Sequence, residues 1–278
     1  MASSELDVCV SAAREAGGIA LDHRATGVRA EWKAARDVVT AADRAAESRI
    51  AEIIAAAWPD DLIVGEEGAP APEAVVAGRR RWYVDPIDGT TNYVKGRSWF
   101  GVSVAFCDVD DRITAGAVNM PALGDLYAAA SGHGATRNGE PIRCSDVTDI
   151  SEALCCSGFP GAASMSETSE RNIEVWRQVL RVALSVRATG AIAPDWCTVA
   201  DGQSEASWTL RAGRWDIAAG ILIAREAGAV VTDLAGAALE GPANAGIAAA
   251  PGIHPTLLSI VRDAIVGDSS IVRSPDGR

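Results

Sequence analysis

The chain of 278 residues is long enough for one large domain or two closely joined halves. Apolar types make up 48% and charged types 22%, which excludes wholesale disorder and a fibrous repeat. Lys and Arg number 25 against 37 Asp and Glu, and the net charge of −12 excludes coating of nucleic acid or of an anionic membrane, so a phosphate ligand has to be attracted by local chemistry.

Taken in chain order, the first seven residues lack the basic start and apolar run of a secretory signal. No stretch reaches the roughly 20 apolar residues that span a bilayer, so a cytoplasmic protein is expected. Residues 5–22 place Leu6, Val10, Ala13, Ala16 and Ile19 at helical spacing, with Gly17 and Gly18 expected to bend or interrupt the helix. Thr40 opens a second helical run that Pro59 ends. The runs LIVGEE (62–67) and RWYVDPID (81–88) are short and apolar and stop at acidic positions. Over 99–107, bulky Phe100, Val102, Val104 and Phe106 alternate with small Gly101, Ser103, Ala105 and Cys107. Turn residues at 110–111, 124–125, 132–134 and 138–139 then predict an antiparallel meander.

From about residue 150, strands alternate with helices: a strand in EALCCSGF, a helix near 166–183, a strand in SVRATG and a helix from Pro194 to Ala200. A helix over WDIAAGILIAREAG ends at Gly228, short strands follow near 229–234 and 246–250, and a last helix starts at Pro255. The expected division is 1–147 and 148–267, with 268–278 a loose polar tail. The six cysteines form no Cys-x-x-Cys pair and read as reduced thiols; Cys155 and Cys156, adjacent in a strand, point to opposite faces and do not share a metal.

The segment DPIDGTTN, Asp85 to Asn92, concentrates the chemistry. Asp85 and Asp88 lie three residues apart across a proline turn, where both carboxylates can be aimed at one point. The amides of Gly89, Thr90 and Thr91 fall at the first turn of a short helix, an anion cradle beside the carboxylates. Glu66 and Glu67 end a second apolar run, and Asp216 opens an apolar helix. Acidic side chains at several element ends, with oxygen chemistry, suit Mg²⁺. Asp43 and Thr90 add a carboxylate and a hydroxyl able to polarise a metal-bound water. His23, His133 and His254 fall in positions that offer no nucleophile, and neither a Gly-x-Ser-x-Gly nor a P-loop pattern occurs.

These residues resemble the inositol monophosphatase family of Mg²⁺-dependent, often lithium-sensitive phosphatases: GEE at 65–67, DPIDGTTN at 85–92 and WDIAAG at 215–220 occur in the family's order. Weaker matches at 39–47, 134–142, 157–160 and 187–195 extend the likeness over nearly the whole chain. The resemblance implies an alternating five-layer α/β/α/β/α sandwich, usually a homodimer. It implies that Glu66, Asp85 and the carbonyl of Ile87 hold one Mg²⁺, that Asp85, Asp88 and Asp216 hold a second, and that Glu66 helps with a weaker third. By the same resemblance, Asp43 and Thr90 orient the attacking water, the amides of Gly89 and Thr90 take the phosphate, and Lys33 matches a basic residue of an early loop.

Two departures bear on the substrate. Inositol-selective relatives carry a Glu seven positions before the Asp of the WD motif, where this chain has Thr209. The family's Gly-Ser/Thr-Ala turn reads Gly190-Ala191-Ile192, which removes a hydroxyl and adds bulk. Arg211 and Arg214 lie in the same loop as Thr209, so the pocket rim exchanges acid for base if they face it. The expected activity is hydrolysis of a small phosphate monoester of a polyol, sugar or cyclitol. The alternatives are a relative specialised for histidinol phosphate, fructose 1,6-bisphosphate or adenosine 3′,5′-bisphosphate, and an idle scaffold that binds a protein.

Overall fold

The computed structural model describes residues 4–28, 30–34, 37–68, 78–158 and 167–266. Helix α1 (Glu5–Thr26) starts at a capping box in which the Ser4 hydroxyl accepts from the Asp7 amide at 3.1 Å and Asp7 accepts from the Ser4 amide at 3.0 Å. It runs through Gly17 and Gly18 without a break, so of the bend or interruption expected there the interruption does not occur. The reason is packing: a Cβ on Gly17 would lie 2.2 Å from Asn119 Nδ2 and 3.1 Å from Pro121 Cβ. Glycine is present there so that α1 can lie down on the sheet.

A two-stranded ribbon, β1 (Ala30–Ala34) and β2 (Asp37–Thr40), leads into α2 (Ala41–Ala57). Strand β3 (Leu62–Gly65) pairs in parallel with β4 (Arg81–Asp88). After the short helix α3 (Thr90–Val94) come β5 (Gly101–Cys107), β6 (Ile113–Met120), β7 (Asp125–Ala130), β8 (Ala135–Arg137) and β9 (Glu140–Ile142). They extend β4 as an antiparallel meander into a seven-stranded sheet in the order β3-β4-β5-β6-β7-β8-β9. A second sheet is assembled from β10 (Leu154–Ser157), β11 (Ser185–Arg187), β12 (Ala206–Thr209), β13 (Val230–Thr232) and β14 (Gly246–Ala249), in the order β11-β10-β12-β14-β13. Its helices are α4 (Glu167–Val182), α5 (Ile192–Ala200), α6 (Arg214–Glu226) and α7 (His254–Val266). Helix α5 begins two residues before Pro194, because the first turn of a helix has amides without intrahelical partners and tolerates a proline.

The alternation along β5 explains the layering. Val102, Val104 and Phe106 face α1 and α2 in one core, with Val8, Ala12, Ile50 and Ile54. Ala105 and Cys107 face the opposite core, built on Ala193, Trp196, Ile217, Ala218 and Ile221 of α5 and α6. The β5 side chains on that face are small, and a Cβ on Gly116 of β6 would stand 3.2 Å from Ala219 Cα, so α6 seats closely on the centre of the sheet. A third core joins β10, β12 and β14 to α4 and α7 through Cys155, Val175, Trp208, Ile247 and Leu257. The layers are thus α1 and α2, the seven-stranded sheet, α5 and α6, the five-stranded sheet, and α4 and α7, the five-layer α/β/α/β/α sandwich expected. All six cysteines are unpaired thiols, five of them buried. Phe159, Pro160 and the tail 268–278 lie outside the described residues. Among the described residues no helix is long and apolar enough to cross a membrane.

Candidate active site

Asp85 and Asp88 lie within β4, not across a proline turn as the sequence reading had it. Asp85 pairs with Ser103 and Asp88 with Gly101, three steps on β4 against two on β5. In a regular strand, side chains three residues apart point to opposite faces, and the bulge returns Asp88 to the side of Asp85. Pro86 fits there because the bulge leaves an amide without a ladder partner. Asp85 is buried, and its Oδ1 accepts from the Ile87 amide at 3.0 Å. Gly89, at φ +91°, turns the chain into α3, so the amides of Gly89, Thr90 and Thr91 lie at that helix start.

Three further elements bring acids to the same place. Asp43 is the third residue of α2, fully buried, and its Oδ2 accepts from the Thr40 amide at 2.8 Å and the Thr40 hydroxyl at 2.5 Å. Its Oδ1 is 3.4 Å from the Thr90 hydroxyl, which also donates to the Ile87 carbonyl at 3.1 Å. Asp216 is the third residue of α6, where its Oδ2 accepts from the Gly213 amide at 2.7 Å. Glu66 follows β3 and is half-buried, as are Asp88 and Asp216. Glu67 donates its amide hydrogen to Glu47 Oε2 at 2.9 Å, which turns the chain just beyond Glu66.

Asp85, Asp88 and Asp216 act on one another electrostatically. Burial, then the charges of Glu66, Asp88, Asp216 and Asp43, hold the Asp85 carboxyl well above the usual range. Burial, then Asp216, with Asp195 and Glu66 behind it, does the same to Asp88 against the opposing Ala193 amide. Asp216 is pushed up to about 6 by burial, and Asp43 is raised by burial against the Thr40 hydrogen bonds. Among the described residues no Arg or Lys pairs with Asp85, Asp88 or Asp216. Nor, among them, do three acidic, His or Cys side chains already close on one point as a finished metal cage. The donor set suits a hard divalent cation in its chemistry, since mutually repelling carboxylates and the Ile87 carbonyl supply only oxygen.

The opposite wall is the segment 190–192, flanked by Thr189 and Ala193. A Cβ on Gly89 would stand 2.9 Å from Ala191 Cβ and 3.3 Å from the Gly190 carbonyl, and Asp88 Oδ2 accepts from the Ala193 amide at 2.5 Å. Gly190 is exposed and Ile192 half-buried, whereas Ala191 is buried. Thr209 is buried as well, and its hydroxyl donates to the Arg211 carbonyl at 3.1 Å. Arg211 is exposed, and Arg214 Nε lies 3.4 Å from Asn244 Oδ1. Thr91 is exposed at the start of α3. Lys33 lies in β1, and its side chain falls outside those described. Sequence reasoning passed over Asn92, Trp99 and Asp195, which tie this wall together. Asn92 and Asp195 stand inside the matched motifs, and the available signal was Asp195, an acid in the otherwise apolar start of α5.

A model of the inositol monophosphatase family matches residues 2–265. The chain is 33% identical over 233 residues to the Nus factor SuhB of Pseudomonas aeruginosa, covering 83% of this chain and 86% of that protein. To a fructose-1,6-bisphosphatase/inositol-1-monophosphatase of Aquifex aeolicus it is 36% identical over 207 residues, 73% of this chain and 74% of that one. Its fold superposes on an IMPase of Thermotoga maritima with a TM-score of 0.82 at 30% identity, over 94% of this chain and 97% of the other. The mixed sheets, the helices layered on them and the matched motifs have one explanation: this chain belongs to the inositol monophosphatase family.

Proposed function

We propose that the protein is a Mg²⁺-dependent phosphatase that hydrolyses a small-molecule phosphate monoester by attack of water. The observation that carries this reading is the set of carboxylates Asp43, Asp85, Asp88 and Asp216, buried or half-buried and raised by burial and mutual repulsion, with no basic partner among the described residues of the last three. Glu66, Asp85, the Ile87 carbonyl, Asp88 and Asp216 would hold two to three Mg²⁺ ions, which when bound supply charge neutralisation and a lowered water pKa.

Asp43 Oδ1 and the Thr90 hydroxyl hold the attacking water, and Asp43 Oδ1 takes its proton. Asp43 Oδ2 is committed to Thr40, so a single oxygen is left for this task. The amides of Gly89, Thr90 and Thr91 receive the phosphate oxygens, with Lys33 as a further cation for them. Gly190, Ala191, Ile192 and Thr209 shape the alcohol side. Of these, Ala191 and Thr209 act through packing, which removes two hydroxyl contacts a polyol would use and favours a weaker preference for inositol monophosphate.

The exposed Arg211 gives a bisphosphate substrate some support, and the Aquifex relative's name points the same way. A protein-binding role is compatible with the SuhB relatives, yet an idle scaffold has no use for repelling buried acids. The division near residue 147, with Asp216 contributed by the second half, and a cytoplasmic homodimer that engages neither nucleic acid nor membrane complete the reading. Phosphate release from inositol 1-phosphate, fructose 1,6-bisphosphate, histidinol phosphate and adenosine 3′,5′-bisphosphate, with Mg²⁺ or with chelator, tests it. Release is expected only with Mg²⁺ and is lost in Asp88→Asn; activity that survives both chelation and that substitution refutes the mechanism.

A further inference from the structure

We propose that Asp195 is a positioning residue of this site, holding the Gly190–Ile192 wall at its working distance from Gly89 and Asp88; the proposal rests on the phosphatase reading. Asp195 lies in the first turn of α5 and is fully buried. Its Oδ1 accepts from two separate segments, the Thr189 hydroxyl at 2.5 Å and the Trp99 indole Nε1 at 3.1 Å. Asn92 ties the same two segments from the other side, its Nδ2 donating to the Trp99 carbonyl at 2.7 Å and to the Thr189 carbonyl at 2.8 Å. The four residues close a ring across α3, the loop before β5, the loop after β11 and α5.

Both segments gathered by Asp195 border the reacting centre. Thr189 immediately precedes Gly190, whose carbonyl is 3.3 Å from where a Gly89 Cβ would stand, and the Trp99 carbonyl is 3.2 Å from that point. Ala193, between the wall and Asp195, donates its amide to Asp88 Oδ2. Moving Asp195 therefore moves the wall relative to Gly89, while pairing with β5 keeps Asp88 in its place in β4. Packing alone does not call for a carboxyl here: Asp195 Oδ2 is buried with no hydrogen-bond partner among the described residues, an unfavourable arrangement that an apolar side chain would avoid. What an apolar residue could not supply is one acceptor shared by Thr189 and Trp99. The wall faces the alcohol part of the ester, so its displacement should act on substrate fit and not on the metal ligands.

The test compares Asp195→Ala, Asp195→Asn and Thr189→Val in the full chain. Readouts are kcat and KM for inositol 1-phosphate and for p-nitrophenyl phosphate, the Mg²⁺ concentration dependence, and the Trp99 indole N–H resonance, assigned with Trp99→Phe. In Asp195→Ala, KM for the inositol ester is expected to rise about tenfold, equivalent to about 1.4 kcal/mol of binding. The Mg²⁺ half-saturation should hold, and the Trp99 resonance should move towards that of an unbonded indole. Asp195→Asn keeps an acceptor oxygen and should recover most of the KM. Should Asp195→Ala fail to fold, Thr189→Val, which removes a single hydrogen bond, should still raise KM. Unchanged KM in the variants beside normal release by the unaltered chain overturns the positioning role alone, and so does a parallel loss of kcat and of Mg²⁺ response. Absence of release by the unaltered chain from these two esters and from the other three of the panel above overturns the phosphatase reading and this proposal with it.

Discussion

Asp88 Oδ2 accepts the Ala193 amide hydrogen at 2.5 Å across a sequence separation of 105 residues. Ala191, at the N-cap of α5, offers no side-chain acceptor, so a carboxylate from β4 caps this helix from outside. One carboxyl thus belongs to the site and to the seam between the seven-stranded sheet and α5. Two substitutions should separate these roles. Asp88→Ala removes both and is expected to lower stability by about 1 kcal/mol, the usual cost of a lost cap, along with phosphate release. Asp88→Asn keeps an acceptor for the Ala193 amide while removing charge, and should lose phosphate release at unchanged or higher stability. Urea unfolding set beside Mg²⁺-dependent activity decides it, and equal stability of the two variants would count against the cap.

The raised carboxyls give stability a definite pH dependence. Asp43, Asp85 and Asp88 are raised by burial, while Asp216 reaches about 6 and Asp195 about 7. A carboxyl whose folded pKa exceeds its unfolded value binds more protons folded than unfolded, so its contribution is full below the unfolded value, near 4, and is lost as pH rises through the folded one. The metal-free protein should therefore melt at a lower temperature at pH 8 than at pH 5. Mg²⁺ favours the ionised carboxylates, so its stabilisation should be larger at pH 8. Thermal unfolding at both values, with chelator or with Mg²⁺, is the measurement; a metal-free midpoint that rises over this interval contradicts the account.

How much of this was legible beforehand differed with the physics involved. The alternation of bulky and small residues along 99–107 gave away β5 and its two unlike faces, because the two-residue period of a strand is a local property. The helix starts near Thr40 and Asp216 were legible for the same reason. Gly17 was misread because its partner, Asn119, is a hundred residues distant and no local rule announces it. Asp85 to Asp88 were read as a turn since proline usually marks one, whereas pairing with β5 holds them in a bulged strand. Asp195 escaped notice because its meaning lies in Trp99 and Thr189, which only the fold brings to it.

Asp43 and Thr90 offer a test of the proton path. Asp43→Asn can present its amide oxygen to the Thr40 amide and hydroxyl and keep the start of α2 capped. Its NH₂ group then replaces Oδ1 opposite Thr90, turning an acceptor into a donor. Loss of a general base typically costs about 10²–10⁴ in rate, so kcat should fall by that range while the Mg²⁺ half-saturation and the urea midpoint stay close to those of the unaltered chain. A kcat within about twofold of the unaltered chain would remove Asp43 from the reaction, on a scale where general base loss spans orders of magnitude.

The adjacent glycines of α1 should respond in opposite directions to the same substitution. Both sit in a helix interior, where replacing Gly by Ala ordinarily stabilises by about 0.5–1 kcal/mol through backbone entropy. At Gly18 a Cβ would meet nothing within 4 Å among the described residues, so Gly18→Ala should show that gain in full. At Gly17 it would stand 2.2 Å from Asn119 Nδ2, and Asn119 cannot withdraw freely because it is buried and donates to the Ala13 carbonyl at 3.0 Å. Accommodation requires either breaking that buried hydrogen bond or lifting α1 off β6, and overpacking of this kind costs about 1–3 kcal/mol, more than the helix gain. Gly17→Ala is therefore expected to lower the urea midpoint and Gly18→Ala to raise it. A matching sign in the two variants would mean that α1 does not rest on Asn119 as described.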